Sequence, residues 1–376
     1  MKILLFNWQC IKNPLGGGAE VHLQEVFERI AAKGHEVVLY ASMFKHVPKE
    51  ENINGIKVIR QGSRYLFNFF VPFAYLFKFR KQNFDIVIDD VNKIPFYTPL
   101  YVKRPLLGIT HHLFGKSIFM EVSFPIALYV FLMEKLVKPI YRKIHWIVGS
   151  PSTFTELTEW GFPKEQVTII NYCVNKNIFR RTGVEKSKIP MIGYLGRLKK
   201  YKSIEHLIQA TKIVKEKFPD LKVMIVGDGD NKKNLEDLVS QLNLSDTVEF
   251  KGFVSEEEKI NYLQQMHFVV NTSSKEGWGL TVVEANACGR CVIAANVEGL
   301  RDSVIDKKTG LLYEYGNINE LAEKIIQLLS DNNLVSEYEK NAIEWADSFD
   351  WNVAADKTFK IIEDCIKRYH KKIDTD

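Results

Sequence analysis

Residues 268–295, FVVNTSSKEGWGLTVVEANACGRCVIAA, predict a strand, a glycine turn, a helix and a second strand in direct succession. The apolar runs at 268–271 and 291–295 are typical of buried strands, and the residues from about 280 onward favour a helix between them. Two strands joined through a helix lie parallel in the same sheet. This stretch therefore indicates an α/β fold.

The same alternation of strands and helices extends over all 376 residues, a length that suits two domains. A polar, turn-prone stretch at 175–188 separates two series of strands. We predict two Rossmann-like, doubly wound parallel sheets, in residues 1–177 and 178–349, and a C-terminal helix at 350–376 that packs back on the first domain. Ligands of such sheets bind beyond the carboxyl ends of the strands, so two facing sheets would form a cleft. The remaining predicted strands are 3–7, 36–41, 56–60, 86–89, 106–110, 144–149, 167–171, 191–195, 222–226, 248–250 and 310–313.

The glycine turn of the opening stretch carries a candidate ligand site. Its glycines allow a ligand to approach the backbone, and the following helix directs unpaired N–H groups and the positive end of its dipole at the ligand. An anion is therefore favoured. Glu276 and Glu284 flank the turn, and their carboxylates can accept hydrogen bonds from sugar hydroxyls. A nucleotide sugar has both a diphosphate and such hydroxyls. The predicted donor-binding residues of the turn are Gly277, Trp278, Gly279 and Leu280.

Two candidate positions follow strands of the first domain. Gly17 and Gly18 lie in a loop that opens a helix, where backbone amides can bind a phosphate or a sugar hydroxyl; a tight turn is the alternative. The loop lacks the GxGxxG spacing of dinucleotide sites. His111 ends a strand and can hydrogen-bond a sugar hydroxyl or a developing charge. A metal held by His111 and His112 is disfavoured, because neighbouring strand residues point to opposite faces.

A basic loop follows the first strand of the second domain. Arg197 and Lys202 flank a helix predicted from Ser203, where two cations and the helix amides would neutralise a leaving diphosphate. Asp228 and Asp230 form a DxD sequence that could hold a divalent metal, but a turn cap on the next helix is favoured.

Charge is distributed unevenly along the chain. Residues 1–180 carry 23 Lys and Arg against 14 Asp and Glu, a net charge of +9, whereas the remainder carries 28 against 32, or −4. Between 65 and 147, large apolar side chains alternate with Lys and Arg; the apolar run at 122–133 is too short to span a bilayer. Core helices explain this composition, or a basic amphipathic surface that contacts anionic lipid. The excess of cations beside aromatics favours the second interpretation.

No secretory signal is visible before the first strand, so we expect a cytoplasmic protein, peripheral at the inner face of the cell membrane if the basic surface binds lipid. An odd number of scattered cysteines indicates reduced thiols. A redox role for the CxxC at 288–291 is disfavoured because it lies past the C-terminal end of a helix. The cysteines are Cys10, Cys173, Cys288, Cys291 and Cys365.

Several motifs together resemble the retaining glycosyltransferases of family 4, which have the GT-B fold of two Rossmann-like domains facing across a cleft. The resemblance covers nearly the whole chain, and its most specific mark is the pair Glu276 and Glu284, separated by seven residues. Departures are the sequence EGLRD at 298–302, where the family often has GGxxE, and His112 in place of a common Asp. The motifs are GGAE at 17–20, His111, NYCVN at 171–175, GRLxxxK at 196–202, GDGD at 227–230 and EGWGLTVVEAxAxG at 276–289.

The resemblance implies roles for the candidate residues. Glu284 binds the ribose, Glu276 lies against the donor sugar, and His111 contacts the sugar near the reacting carbon. Arg197 and Lys202 hold the diphosphate. It also implies retention of anomeric configuration, no metal and no other cofactor. Gly17 and Gly18 are implied to approach the donor. The base is implied to be contacted by backbone groups near Phe253 and Val254.

The sequence thus predicts a hexosyltransferase that uses a UDP- or GDP-sugar donor and a glycan or lipid-linked acceptor, with no nucleic-acid partner. A sugar-nucleotide epimerase of the same architecture would need acid and base carboxylates around the second sugar carbon. A non-catalytic subunit that binds nucleotide sugar is the other alternative, and the intact set of candidate residues disfavours it.

Overall fold

The computed structural model describes residues 1–92, 94–120 and 122–373. Contacts divide the chain into two compact units. The first comprises Met1–Tyr172 and Trp351–Asp376, and the second comprises Cys173–Asp350. The predicted C-terminal helix is observed at Trp351–Ile373, and residues 374–376 of that prediction lie outside the described residues.

The sheet of the first unit has eight strands in the order β3-β4-β2-β1-β5-β6-β7-β8. All neighbours are parallel except β3 and β4, which are antiparallel. The strands are β1 (Lys2–Phe6), β2 (Glu36–Ala41), β3 (Glu50–Ile53), β4 (Ile56–Arg60), β5 (Ile86–Asp90), β6 (Leu106–Thr110), β7 (His145–Val148) and β8 (Val167–Ile169). The α-helices are α1 (Gly18–Ala32), α2 (Phe67–Ala74), α3 (Phe124–Lys135), α4 (Val137–Ile140), α5 (Pro151–Glu159) and, from the end of the chain, α13 (Trp351–Ile373).

The sheet of the second unit has six parallel strands in the order β11-β10-β9-β12-β13-β14. Two doubly wound parallel sheets were predicted, and they are confirmed. The strands are β9 (Met191–Leu195), β10 (Lys222–Val226), β11 (Val248–Gly252), β12 (Phe268–Asn271), β13 (Val292–Ala295) and β14 (Gly310–Tyr313). The α-helices are α6 (Glu205–Lys217), α7 (Lys232–Gln241), α8 (Glu256–Gln265), α9 (Leu280–Ala287), α10 (Leu300–Ser303), α11 (Ile318–Ser330) and α12 (Asn332–Asp347).

Helix α13 packs on the first unit, as predicted. Its Asn352 accepts a hydrogen bond from Arg29 of α1 at 3.1 Å, and its Phe359 stacks on His35 with ring centroids 4.5 Å apart. The buried face of helix α1 includes the polar residue His22, whereas its apolar residue Val21 is only half-buried. The C-terminal segment is therefore an integral part of the first unit.

Strand β3 was not predicted. Only Ile53 of its four residues, EENI, is apolar and buried, so the strand lacks an apolar pattern. The turn between β3 and β4 is Asn54-Gly55, and both residues have positive φ, 49° and 87°. This combination is the preferred two-residue turn of a hairpin, and it fixes the antiparallel pairing.

Helix α2 continues through a π-helical turn, Tyr75–Phe79, and displays two stripes with a four-residue period. A π turn holds more residues than an α turn, so it helps to keep this spacing on one face. One stripe is buried in the core of the first unit: Phe67, Val71, Tyr75 and Phe79. The other, preceded in the turn before the helix by the exposed Tyr65, is exposed: Phe69, Phe73 and Phe77.

Candidate active site

The predicted donor turn lies between β12 and α9 in the second unit. Gly279 is the N-cap of α9 and adopts the left-handed conformation, with φ 84° and ψ 57°. A second glycine, Gly299, packs directly on the turn: a Cβ at this position would lie 2.3 Å from the carbonyl oxygen of Glu276. The sequence that departs from GGxxE therefore keeps the one glycine that this close backbone contact requires, at φ 80°.

Glu276 is held at the turn by two neighbours. Lys202 forms an ion pair with its Oε1, and the Ser273 hydroxyl donates to the same oxygen at 2.7 Å. The side chains of Lys202 and Glu276 are only 13% and 15% exposed. Burial, the largest single effect, would lower the pKa of Lys202, but the Glu276 carboxylate together with Tyr201 and Tyr194 outweighs it and raises that pKa above its usual range. A lysine that stays charged thus lies beside the carboxylate that precedes α9.

The loop that carries Arg197 is fixed by backbone contacts. Leu198 donates its N–H to the Asp228 carbonyl at 2.9 Å, and a Cβ on Gly229 would lie 2.3 Å from the Leu198 carbonyl oxygen. The glycines of GDGD therefore let two loops pack together at the carboxyl edge of the sheet. This packing leaves the Arg197 side chain exposed, with its guanidinium 3.5 Å from the Tyr201 hydroxyl.

Two local predictions for these loops are wrong. The helix expected from Ser203 begins at Glu205, because Ser203 adopts a left-handed conformation with φ 48°. Asp228 and Asp230 were expected to cap α7, but its N-cap is Asn231. Asp228 instead accepts from the Gly229 N–H at 2.8 Å, and Asp230 forms an ion pair with Lys199 at 2.6 Å.

Glu284 lies on α9 and is 8% exposed. Its Oε2 is 2.5 Å from the Nζ of Lys259, a residue of α8 that the sequence did not indicate. The same ammonium lies 4.8 Å from the centre of the Phe179 ring. Thus both glutamates of the motif are neutralised by a lysine. Spacing offers no signal for Lys259, because 25 residues separate it from Glu284 along the chain.

The two residues expected near the base lie between β11 and α8. Phe253 is 90% exposed and Val254 is half-buried, just before the capping box of Ser255 and Glu258 begins α8. Because the same helix carries Lys259, its first turns lead from Phe253 towards Glu284.

Trp278 differs from the other residues of the donor turn. It is 2% exposed, and its ring meets Phe349 edge-on with centroids 5.3 Å apart. Its indole therefore belongs to the core of the second unit, and only its backbone is available to a ligand. Gly277 and Leu280 are half-buried.

His111 follows β6 in the first unit and is 4% exposed. Its Nε2 is 3.0 Å from an Asp90 carboxyl oxygen, and its Nδ1 is hydrogen-bonded to the Tyr172 hydroxyl. Both ring nitrogens are thus engaged by protein groups. Its backbone carbonyl accepts from the Thr153 hydroxyl at 3.3 Å. His112 is half-buried with its ring against Phe114.

The glycine loop of the first unit is partly satisfied internally. The N–H of Gly17 donates to Glu20 Oε2 at 2.7 Å, so this amide is engaged by the first turn of α1. Gly18 is the first residue of α1, and a Cβ on it would approach the Tyr172 ring at 3.9 Å. The loop therefore lies close to the partner of His111.

The cysteines have no sign of a redox function. Cys288 and Cys291 lie at the junction of α9 and β13, and burial raises the pKa of both thiols to about 12. All five cysteines are buried and unbridged. Within the described part of the chain, no cluster of three or more His, Cys, Asp or Glu side chains could hold a metal ion. Metal independence stays a prediction.

Comparison with known proteins identifies the family. Residues 16–177 match the model described as Glycosyltransferase Family 4, and residues 175–345 match that described as Glycosyl transferases group 1. An uncharacterized glycosyltransferase of Methanocaldococcus jannaschii is 32% identical over 201 residues, which are 54% of this chain and 54% of that protein. The matched region thus spans about half the length of that relative.

Solved glycosyltransferase structures show the same fold. Sucrose-phosphate synthase from Thermosynechococcus elongatus has a TM-score of 0.83 at 23% identity, covering 98% of this chain and 99% of that one. The Anabaena protein Alr3699/HepE, solved in complex with UDP-glucose, has a TM-score of 0.75 at 20% identity, covering 97% and 100%. The chain therefore belongs to the group 1 and family 4 glycosyltransferases and has their GT-B fold.

Proposed function

We propose that this protein transfers a hexosyl group from a UDP- or GDP-sugar to a glycan or lipid-linked acceptor, with retention of anomeric configuration. The observation that carries the proposal is the charged Lys202 beside Glu276 at the start of α9. A cation and helix N–H groups suit a diphosphate, while a carboxylate suits sugar hydroxyls. The relative solved with UDP-glucose binds a donor of this class.

The chemistry requires stabilisation of a leaving diphosphate. The bond between the anomeric carbon and the diphosphate oxygen breaks, and its electron pair goes to the diphosphate, where Arg197 and Lys202 offset the charge. The acceptor hydroxyl attacks the same face of the sugar, and its proton goes to the departing phosphate oxygen. Glu276 lies against the oxocarbenium-like sugar, and Glu284 binds the ribose hydroxyls. No step requires a metal.

Turnover with labelled donors tests this proposal. Incubation with UDP- and GDP-sugars and a membrane extract should yield a labelled product and release free nucleotide only when acceptor is present. Glu276→Ala should abolish both signals. Glu236→Ala is the matched control, because Glu236 is an exposed glutamate on α7 of the same unit. Full turnover by Glu276→Ala would refute the site, and an epimerised donor without nucleotide release would refute the reaction.

We also propose that the first unit rests on anionic lipid at the inner face of the cell membrane, in the cytoplasm. The exposed stripe of α2 is joined by exposed apolar side chains of α3, and an Asn68–Tyr129 hydrogen bond of 3.4 Å links the two elements. Among the described residues, no helix is long and apolar enough to cross a bilayer. The exposed residues of α3 are Phe124, Ile126, Leu128, Tyr129 and Leu132.

Charge supports lipid as the occupant of this surface. Residues 64–143 contain 12 Lys and Arg but five Asp and Glu, of which Asp89, Asp90 and Glu134 are buried. Just after α3, Lys138 and Arg142 line a cavity of about 330 Å³. Cations beside exposed aromatic side chains are typical of surfaces that bind anionic membranes.

Liposome sedimentation tests the lipid contact. Binding should rise with phosphatidylglycerol content, fall with added salt, and weaken in the double variant Phe73→Ser with Phe77→Ser. Val353→Ser is the control, because Val353 is half exposed on α13. Binding that ignores anionic lipid content would contradict the proposal.

A further inference from the structure

A chain of contacts in the first unit leads away from His111 to residues that the predicted site does not include. The Nε2–H of His111 donates to Asp90, which ends β5, so in the neutral imidazole Nδ1 is the acceptor. The Tyr172 hydroxyl must then donate to Nδ1. Two protein groups therefore select one tautomer and one orientation of the His111 ring.

Tyr172 is held in turn by His22. The His22 ring, 1% exposed, stacks on Tyr172 with centroids 4.6 Å apart and an interplanar angle of 27°. The centre of the His22 ring also lies 5.8 Å from those of His111 and Trp351. Burial, with a smaller contribution from His111, lowers the pKa of His22 well below its usual value. His22 is therefore uncharged at neutral pH, and its ring packs against Tyr172 as an aromatic side chain.

The position of this cluster in the chain is informative. Tyr172 is the last residue of the first unit before the chain enters the second, and Trp351 is the first residue after it returns. His22 contacts both residues, and it lies on α1 one turn after the glycine loop. Both residues at which the chain leaves and re-enters the first unit thus contact His22, and Tyr172 also contacts His111 directly.

Resting on the proposed transferase function, we propose that Asp90 and Tyr172 are positioning residues for His111, and that His22 fixes Tyr172. The Asp90 carboxylate makes the neutral imidazole electron-rich, as in other carboxylate–histidine pairs. A sugar carbon that becomes positive beside His111 gains from this arrangement in the transition state. The donor diphosphate is assigned to other residues, Lys202 and Arg197.

Neighbouring aspartates of β5 provide a matched test. Asp90 contacts His111, whereas Asp89 accepts hydrogen bonds from the hydroxyls of Tyr141 and Thr98 at 2.6 and 2.7 Å. Asp90→Asn should lower kcat by about tenfold or more and leave the KM for donor within about twofold, because it acts on the reacting centre and not on donor binding. Asp89→Asn should leave both constants close to wild type. Equal effects of the two substitutions, or none, would overturn the proposal.

Nuclear magnetic resonance supplies a readout that does not depend on turnover. The ¹⁵N shifts of His111 should show a protonated Nε2 and an accepting Nδ1, and Tyr172→Phe should shift Nδ1 specifically. Tyr141→Phe is the matched control, because this buried hydroxyl bonds Asp89. An Nδ1-protonated tautomer, or identical spectra in both variants, would contradict the arrangement. A wild-type protein without turnover would instead contradict the transferase function, since the spectra test the arrangement separately.

Discussion

Lys202→Met tests the ion pair at the start of α9 in two ways. The substitution preserves most of the apolar stem of the Lys202 side chain but removes the cation beside Glu276, a side chain that is 15% exposed. The hydrogen bond from the Ser273 hydroxyl to Glu276 remains. Removing one member of a buried pair costs 3–5 kcal/mol, and partial exposure of both groups favours the lower end, about 3 kcal/mol. For a unit of this size we expect the melting temperature to fall by roughly 6–12 °C.

The same substitution removes a cation from the proposed diphosphate site. A charge-assisted hydrogen bond contributes about 1.5–3 kcal/mol, so kcat/KM for the donor should fall roughly 10- to 150-fold. Lys199→Met is the control on the same loop. Its pair with Asp230 has side chains 39% and 69% exposed, and such surface pairs contribute at most about 1 kcal/mol.

A double variant separates stability from activity. Lys202→Met with Glu276→Gln leaves no unpaired charge, so it should recover at least half of the lost unfolding free energy while remaining inactive. Thermal unfolding and initial rates at varied donor concentration measure the two effects. If Lys202→Met has the same kcat/KM as Lys199→Met, Lys202 does not hold the diphosphate and this reasoning is refuted.

Three further results are expected. Glu284→Gln should raise the KM for donor about tenfold with little change in kcat, because the carboxylate is assigned to the ribose; steady-state rates showing the reverse pattern would contradict this. Gly279→Ala should cost about 1–2 kcal/mol of unfolding free energy, since φ is 84° and the new Cβ would lie 3.0 Å from Leu300; unchanged urea unfolding would disprove it. Burial raises the pKa of Asp89 to about 6, so the folded state binds the extra proton and the contribution of Asp89 to stability falls as pH rises from about 4 to 6. The unfolding free energy of Asp89→Asn should therefore rise relative to that of wild type over that window, and a pH-independent difference between the two would contradict this prediction.

Periodicity and apolar runs were sufficient to predict both sheets, because most of the predicted strands, such as β1, β5 and β13, contain a continuous run of buried side chains. Strand β3 was missed since a hairpin edge strand with one buried residue has no such pattern. Its Asn-Gly turn was the available signal. Gly299 could be recognised in the sequence as part of a motif. The reason that a glycine is needed there, the close contact with the Glu276 backbone, is seen only in the structure.

The candidate site was predicted less completely. Glu276 and Lys202 were each selected for separate contacts with a donor, but their ion pair joins residues 74 positions apart and has no sequence signature. Lys259 and His22 were missed for the same reason: a lysine on a polar helix and a histidine in an amphipathic one look like ordinary surface and core residues. Trp278 was grouped with its glycine neighbours, although its large apolar ring favours burial.

The location of a bound donor tests the central claim most directly. A crystal soaked with UDP-glucose or GDP-mannose should show the diphosphate at the N-terminus of α9 within hydrogen-bonding distance of Lys202, with the hexose beside Glu276 and the ribose on Glu284. Density for the diphosphate elsewhere on the chain, with Lys202 and Glu276 still paired only to each other, would contradict the account.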